Sequence, residues 1–213
     1  MALVHINQAI DALLVVDIQN DFCPGGALAV SDGDAVVPVA NTLIDQYDHV
    51  ILTQDWHPSG HSSFASVHKG KELFGSVTMP YGEQTLWPDH CVQSSHGATF
   101  HARLKTDKAR MVVRKGMKPA IDSYSAFYEN DRVTSTGLSG YLRNRGVTRT
   151  GLVGLATDFC VFYTAMDARR EGFDVILVED GCRAIDLDGS LAVAMKAMTD
   201  VGVMVALASD LMS

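Results

Sequence analysis

One carboxylate and two imidazoles occur at a spacing that suits metal binding. Asp55 and His57 lie two residues apart just after a hydrophobic run, and His90 follows further along the chain. Where a strand end stays extended, side chains two residues apart face the same side, so Asp55 and His57 can converge on one ion. His90 would complete a set of two histidines and one carboxylate that leaves positions open for water or substrate.

Two neighbouring polar residues are weaker candidates for the same site. His61 and Ser63 follow His57 in the sequence, and either could supply a further or water-mediated ligand. Imidazole and carboxylate ligands suit zinc or iron, with manganese as a third alternative. The sequence therefore predicts one divalent metal ion and leaves its identity open.

Cys160 is the candidate nucleophile. It follows the hydrophobic run 151–156 and the pair Thr157-Asp158, which is typical of a helix N-cap, so we expect its sulfur in the first turn of a helix. The positive end of the helix dipole favours the thiolate form that attacks an electrophile. The helix continues with apolar residues, so a plain core cysteine is the competing interpretation. The other cysteines lack this setting and are interpreted as structural.

Two charged residues end hydrophobic runs elsewhere in the chain. Asp17 closes the run that begins at Leu13, and burial of a carboxylate there can raise its pKa toward a value useful for proton transfer. Lys115 closes the run that begins at Met111 in the same manner. On these features alone, Asp17 could be a turn residue and Lys115 a surface lysine with a buried stem.

Short β-branched runs that suit buried parallel strands occur six times. They cover residues 13–17, 49–53, 111–115, 150–156, 175–179 and 203–206. Helical patterns at 34–47, 158–171 and 191–201 separate several of them, which predicts an α/β fold with one sheet. The connection from about 54 to 110 is long and rich in histidine. Loops after the carboxyl ends of parallel strands bind ligands in such sheets, so we expect the site there.

Composition limits the class of protein. The 213 residues are 47% hydrophobic, which fits one globular domain over residues 1–213. The net charge of -8 and the absence of a Lys/Arg cluster argue against a nucleic-acid partner. No stretch has the roughly 18 apolar residues of a membrane span, and the start resembles no secretory leader, so we expect a cytoplasmic protein without a membrane partner.

The four cysteines form no CxxC pair, which favours reduced thiols. The first strand is not followed by G-x-G-x-x-G, which argues against a nucleotide-binding fold of that type.

Five short motifs occur in one order along nearly the whole chain. They are Asp17-Ile18-Gln19-Asn20-Asp21-Phe22, Asp55-Trp56-His57-Pro58, Trp87-Pro88-Asp89-His90-Cys91, Arg114-Lys115-Gly116 and Gly154-Leu155-Ala156-Thr157-Asp158-Phe159-Cys160-Val161. In this order they resemble the motifs of the nicotinamidases, which belong to the isochorismatase-like cysteine hydrolases. Each motif is weak alone, but five in sequence are not expected by chance.

The resemblance implies two sets of residues with different tasks. They are a catalytic triad of Asp17, Lys115 and Cys160, and a metal site of Asp55, His57 and His90. The resemblance also implies a doubly wound three-layer sandwich, with a six-stranded, mainly parallel sheet in the order 3-2-1-4-5-6. The family places a cis peptide before the alanine of its Gly-x-Ala-Thr motif, here Leu155-Ala156. The N–H groups of Ala156 and Cys160 would then form an oxyanion hole.

The activity implied is hydrolysis of nicotinamide to nicotinate and ammonia in NAD salvage, through a thioester on Cys160. Pyrazinamide is implied as a further substrate. Phe22, Trp87 and Tyr124 would be aromatic walls around the flat ring, with Ala156 beside it. The metal would bind the pyridine nitrogen and so orient the ring. Isochorismatases share the topology but lack the metal site.

Two other functions remain alternatives at this point. The first is a related amidohydrolase that acts on another small amide or carbamoyl compound with the same triad. The second is a metal-binding or scaffold protein without enzymatic activity, because a fold does not fix a function. Homo-oligomer formation and the task of residues 69–85 are also open.

Overall fold

The computed structural model describes residues 3–212 and contains ten strands and four α-helices in that range. The strands are β1 (Val4–His5), β2 (Asp11–Val16), β3 (Val50–Asp55), β4 (Ser76–Met79), β5 (Gly82–Thr85), β6 (Ala109–Lys115), β7 (Arg149–Leu155), β8 (Asp174–Arg183), β9 (Met204–Ala206) and β10 (Leu211–Met212). The helices are α1 (Val36–Gln46), α2 (Leu138–Arg143), α3 (Phe162–Arg170) and α4 (Ser190–Asp200). Residues 1, 2 and 213, which belong to the domain expected from the sequence, lie outside the described range.

Six strands form the central sheet in the order β6-β3-β2-β7-β8-β9, and every neighbouring pair is parallel. Numbered within this sheet alone, the order is 3-2-1-4-5-6. The predicted fold class is therefore confirmed. The chain leaves β2 toward β3 on one side, and later adds β7 on the other, so the topology reverses at β2. Ligands bind at such switch points in open α/β sheets.

Two hydrophobic cores lie on opposite faces of the sheet. Successive side chains of a strand point to opposite faces, so Leu13 of β2 packs with α1 in one core while Leu14 packs with α2, α3 and α4 in the other. All residues of β2 and β3 are buried. Burial on both faces explains why these strands read as continuous hydrophobic runs.

Three features of the fold were not predicted from the sequence, namely a hairpin, a short strand pair and a short helix. The hairpin β4–β5 lies inside the connection that was expected to lack regular structure, and its burial pattern has a single buried residue, Gln84, so no hydrophobic alternation marks it. The pair β1–β10 has only two residues on each strand. Helix α2 has six residues and an internal glycine, Gly140, which is too little for a periodic signal.

No helix within residues 3–212 combines the length and the apolar character that crossing a bilayer requires.

Candidate active site

Asp17 is the first residue after β2 and has no solvent exposure. Its backbone turns into the left-handed region at φ 46°, which points the side chain back toward the neighbouring strand. The Thr53 hydroxyl donates to Asp17 Oδ1 at 2.6 Å and accepts the Asp17 N–H at 3.1 Å. Asp17 Oδ2 pairs with the buried ammonium of Lys115. Both carboxylate oxygens are thus held in place.

Lys115 ends β6 and is fully buried, so it is not a surface lysine. Its ammonium lies 2.7 Å from Asp17 Oδ2, contacts Asp55 Oδ1, and donates to the Ser123 carbonyl at 3.0 Å. Burial alone would lower the pKa of Lys115, but the two carboxylates raise it well above its usual value. The side chain therefore stays charged inside the protein.

Cys160 lies in a π-helical turn, Thr157–Val161, that precedes α3. Its sulfur is 3.4 Å from Lys115 Nζ and belongs to one cluster with the carboxylates of Asp17 and Asp55. Burial raises the pKa of the Cys160 thiol, Lys115 lowers it, and the carboxylates raise it again, so the net shift is well upward. Burial and the two carboxylates thus oppose the thiolate form that the helix dipole favours. A base must therefore take the proton.

Asp17 has the properties of that base. Burial raises its pKa, Lys115 opposes the rise, and Asp55 adds to it, which leaves the pKa above the usual value of a carboxyl group. A raised pKa brings a carboxylate closer to the range where it can accept a proton from a thiol. The structure thus brings Asp17, Lys115 and Cys160 together at the carboxyl ends of β2, β6 and β7.

Asp55, His57 and His90 converge beside this cluster. Asp55 Oδ2 lies 3.4 Å from His57 Nε2 and 3.7 Å from His90 Nε2. His57 Nδ1 is 3.0 Å from the Gly116 carbonyl, and His90 Nδ1 is 2.8 Å from the Pro88 carbonyl. A carbonyl only accepts, so both Nδ1 atoms donate, and each Nε2 is left with a lone pair.

This arrangement fits a divalent metal ion. His57 Nε2 is buried and makes no hydrogen bond, which is the state expected of an atom that awaits a cation. Gly116 packs against the His57 ring. Its backbone φ is 64°, and a Cβ at this position would lie 2.3 Å from the imidazole, so only glycine allows the backbone to come this close to the ring. Burial alone would raise the pKa of Asp55, but the Lys115 ammonium holds it well below its usual range. Asp55 is thus an anion that touches both clusters.

His61 and Ser63 contact each other, and His61 also lies beside His57 and Asp122. The Ser63 hydroxyl lies 2.7 Å from His61 Nδ1, and His61 Nε2 lies 3.0 Å from the Lys118 carbonyl. The His61 ring packs against the ring of His57, with centroids 4.4 Å apart. Both nitrogens of His61 are therefore engaged within the protein.

One small cavity opens on both clusters. Its lining includes the residues that the sequence predicted for substrate binding, namely Phe22, Trp87, Tyr124 and Ala156, together with Cys160, Asp55 and His90. The Leu155-Ala156 peptide is cis, as the resemblance implied. The lining also includes residues that sequence reasoning did not assign, namely Leu28, Asp122, Phe159 and Ile185.

Asp158 supports the far wall of this cavity and does not cap the helix, contrary to the sequence prediction. Its carboxylate accepts the N–H of Ile185 at 3.0 Å and that of Asp186 at 2.8 Å, and also the Ser190 hydroxyl. No side chain caps the π-helical turn. The donors that Asp158 binds instead lie 27 to 32 residues away in the chain, so local spacing gave no signal of them.

Gln19 joins the two strand ends that carry the acidic residues. Its amide nitrogen donates to the Asp55 carbonyl at 2.9 Å, and its amide oxygen accepts the Asp55 N–H at 2.8 Å. This pair of bonds fixes Asp55 against the segment that follows Asp17. Gln19 stood in the first motif, but nothing in its local sequence revealed a partner 36 residues away.

The comparison with known families decides the relationship. Residues 11–210 match the Isochorismatase domain. The chain belongs to the isochorismatase family. Within this family, the chain is similar to the nicotinamidase of Acinetobacter baylyi, with 50% identity over 192 residues that cover 90% of each protein.

Two solved structures to which this chain is similar hold a small ligand or a metal. PnC1 from L. infantum, in complex with nicotinate, is 40% identical with a TM-score of 0.87, over 99% of this chain and 98% of that one. The pyrazinamidase of Pyrococcus horikoshii, in complex with zinc, is 34% identical with a TM-score of 0.75, over 92% of this chain and 98% of that one.

Proposed function

We propose that this isochorismatase-family protein is a nicotinamidase, which hydrolyses nicotinamide to nicotinate and ammonia for NAD salvage and also accepts pyrazinamide. The observation that carries the proposal is a single small cavity with aromatic walls that opens on a buried cysteine at one end and on a metal-binding cluster at the other. Nicotinamide is a flat ring that carries a carboxamide on one side and a ring nitrogen on the other. The carboxamide suits the cysteine end of the cavity, and the ring nitrogen suits the metal-binding end. The similarity to a nicotinamidase and to a nicotinate-bound structure supports it.

Asp55, His57 and His90 would hold the metal, which is zinc, iron or manganese, through Oδ2 and the two Nε2 atoms. When bound, the ion supplies a Lewis acid for the pyridine nitrogen, which orients the ring and withdraws electrons from it. His57 and His90 contribute by fixed ring orientation, because each donates its Nδ1 proton to a backbone carbonyl. The zinc complex of the similar pyrazinamidase supports this assignment.

The first half of the reaction forms a thioester. Asp17 takes the thiol proton, and the Cys160 sulfur attacks the carboxamide carbon while Lys115 stabilises the negative charge. The N–H groups of Ala156 and Cys160 donate to the oxyanion, and a donor of this kind typically lowers such a barrier by about 3 kcal/mol. Asp17 returns the proton to the departing nitrogen, and ammonia leaves.

The second half releases the acid. Asp17, again a carboxylate, removes a proton from a water molecule that attacks the thioester carbon. The C–S bond breaks, the proton returns to the Cys160 sulfur, and nicotinate leaves. Because Asp17 acts in both halves, the cycle depends on its position in one cluster with Cys160 and on its contact with the Lys115 ammonium.

The aromatic walls would select a flat ring. Phe22, Trp87 and Tyr124 line the cavity, and the Trp87 indole N–H donates to the Tyr124 hydroxyl at 3.0 Å. This bond satisfies the polar atoms of both rings, so their apolar faces can turn to the substrate. Phe159 packs edge-on against Trp87, with centroids 4.8 Å apart. A rigid slot of this kind favours planar heteroaromatic amides over aliphatic ones.

The chain is proposed to form one domain, and we also propose that it acts in the cytoplasm. The four cysteines are all free and buried, which supports a reducing compartment.

The proposal is tested by ammonia release from nicotinamide, pyrazinamide and benzamide. Benzamide keeps the carboxamide and the flat ring but lacks the ring nitrogen. We expect rapid release from the first two compounds and at least about a hundredfold lower kcat/KM for benzamide, because ring-nitrogen binding supplies the orientation. Equal rates for nicotinamide and benzamide would contradict the role of the metal cluster, and no release from any of them would contradict the substrate class.

A further inference from the structure

Asp122 is a third buried carboxylate at the cavity, and it belongs neither to the sequence motifs nor to the set of Asp55, His57 and His90. It is 2% exposed and lines the same cavity as Cys160 and His90. Its Oδ1 atom lies 3.9 Å from His57 Nε2, the atom that has no hydrogen-bond partner. Asp122 therefore faces the position that a cation bound to His57 would take.

Hydrogen bonds fix the orientation of Asp122. The Ser123 N–H donates to Oδ1 at 2.8 Å, and Gln84 Nε2 donates to Oδ2 at 2.8 Å. Gln84 also donates to the Tyr124 hydroxyl at 3.0 Å. Gln84 is the one buried residue of the hairpin β4–β5. The hairpin belongs to residues 69–85, whose task the sequence left open, and through Gln84 it holds both the Asp122 carboxylate and the Tyr124 side chain in place.

The charge of Asp122 has no full partner within the protein. Among residues 3–212, His57 is the one basic side chain within ion-pair distance of Asp122, and its Nδ1 proton is committed to the Gly116 carbonyl. Asp17 and Asp55 already share Lys115. An ionised carboxylate in the interior is costly unless an opposite charge lies nearby.

A divalent ion balances this cluster. Three buried carboxyl groups, those of Asp17, Asp55 and Asp122, lie around one buried ammonium, that of Lys115, so acidic groups are in excess and a divalent cation would offset them. We propose that Asp122 is an outer carboxylate of the metal site, which does not ligate the ion but raises the affinity of the site for a divalent cation. Through Gln84 it also links the ion to the Tyr124 wall. This inference rests on the metal ligands proposed above.

The test is the zinc affinity of the purified, metal-stripped protein, measured by competition with a chromophoric chelator. Asp122→Asn keeps the size of the side chain and removes its charge. We expect it to weaken zinc binding by about tenfold to a hundredfold, as is typical when a residue that supports a metal site is changed. The metal-free variant should melt no lower than the metal-free parent, because it loses an unbalanced buried charge.

Glu129→Gln is the matched control. Glu129 is also a buried carboxylate on the same connection, but it accepts the Gly116 N–H at 3.3 Å and borders a different cavity. We expect its zinc affinity to stay within about threefold of the parent, because its charge is not among the groups around His57 Nε2. A fall equal to that of Asp122→Asn would contradict a specific role for Asp122.

Manganese provides a second readout. If Asp122 acts through its charge, Asp122→Asn weakens the binding of zinc and of manganese by the same factor. A distorted ligand set would instead change the ratio of the two affinities. Unchanged zinc affinity in Asp122→Asn would overturn the inference. Asp122→Ser, with the same expected fall, replaces the asparagine variant if the latter does not fold.

Failure of the ligand assignment gives a different result. If His90→Ala binds zinc as tightly as the parent, the metal site itself is wrong, and the role of Asp122 falls with it. If His90→Ala loses zinc and Asp122→Asn keeps it, only the role of Asp122 is overturned. Neither result depends on hydrolysis of nicotinamide, which is measured separately.

Discussion

At the level of single residues, the chemistry depends on one lysine that joins two acidic side chains. Lys115 contacts both Asp17 and Asp55, and Asp55 in turn faces His57 and His90. The nucleophile and the metal cluster are therefore coupled through a shared carboxylate. Sequence motifs alone treated them as separate sets, because the β3–β6 register that places Asp55 opposite Lys115 is not visible in the sequence.

Asp17→Asn tests the proposed base. The amide cannot accept the thiol proton, so we expect kcat/KM for nicotinamide to fall by about a hundredfold to ten-thousandfold. Thr53→Val is the companion variant, because it removes the hydroxyl that holds Asp17 Oδ1 but leaves the carboxylate. We expect Thr53→Val to lower kcat/KM for nicotinamide by about tenfold. Steady-state ammonia release measures both, and full activity in Asp17→Asn would rule out this residue as the base.

Glu129 predicts a pH-dependent stability difference. Burial raises the pKa of this carboxyl group, although bonds from Ser123 and Gly116 and the charge of Lys115 oppose the rise. A raised folded-state pKa means that the favourable contribution of the group is complete below its unfolded pKa and is lost as the pH rises through the folded value.

Glu129→Gln does not titrate, so it removes this loss. Relative to the parent, we expect the variant to melt higher at pH 8 and at a similar temperature at pH 4. Thermal unfolding at both pH values measures the difference. The same shift at both pH values would show that the carboxyl group does not have a raised pKa in the folded protein.

At the level of elements, each reactive side chain stands at the carboxyl end of a strand in the central sheet. Asp17 follows β2, Asp55 and Lys115 end β3 and β6, and Cys160 follows β7 after a short turn. Parallel neighbours bring these ends to one edge. β2 and β3 are buried on both faces, whereas the edge strand β6 is partly exposed and holds Lys115 at its buried end.

Strands β7 and β2 pack closely at Gly154. Gly154 has φ 124°, and a Cβ there would lie 2.0 Å from the Val16 carbonyl oxygen. We expect Gly154→Ala to lower the free energy of unfolding by about 2–4 kcal/mol, because backbone cannot move aside cheaply. Gly140→Ala is the control, since nothing lies within 4 Å of a Cβ at this position in α2.

In Gly140→Ala, helix propensity should raise stability by up to about 1 kcal/mol. Urea denaturation compares the two variants. A Gly154→Ala protein as stable as the parent would show that β7 and β2 are not packed as closely as the structure has them.

The loop 185–190 predicts a change in substrate binding. Asp158 accepts three hydrogen bonds from this loop, and Ile185 lines the cavity. Asp158→Asn has one accepting oxygen instead of two, so the wall loosens, and we expect KM for nicotinamide to rise about tenfold with a smaller change in kcat. Asp188→Asn, an exposed change in the same loop, should leave KM unaltered. Equal KM values in all three proteins would contradict a role for Asp158 in shaping the site.

At the level of the whole molecule, the sequence predicted what lies at the ends of hydrophobic runs. The hydrophobic runs predicted the strands that Asp17, Lys115 and Cys160 follow or end, and the family resemblance implied the order of the sheet. The sequence did not reveal Asp122, Gln84 or the contacts of Asp158. Their partners lie far away in the chain and in segments without periodicity, so only the folded structure brings them to the cavity.

The central claim is that Cys160 is the nucleophile of an amidase, and ammonia release from nicotinamide by the parent and by Cys160→Ala tests it most directly. Cys23→Ala, another buried thiol whose pKa burial raises to about 11, is the control. We predict release by the parent and by Cys23→Ala and none above background by Cys160→Ala. Release by Cys160→Ala at the rate of the parent would contradict the thioester mechanism.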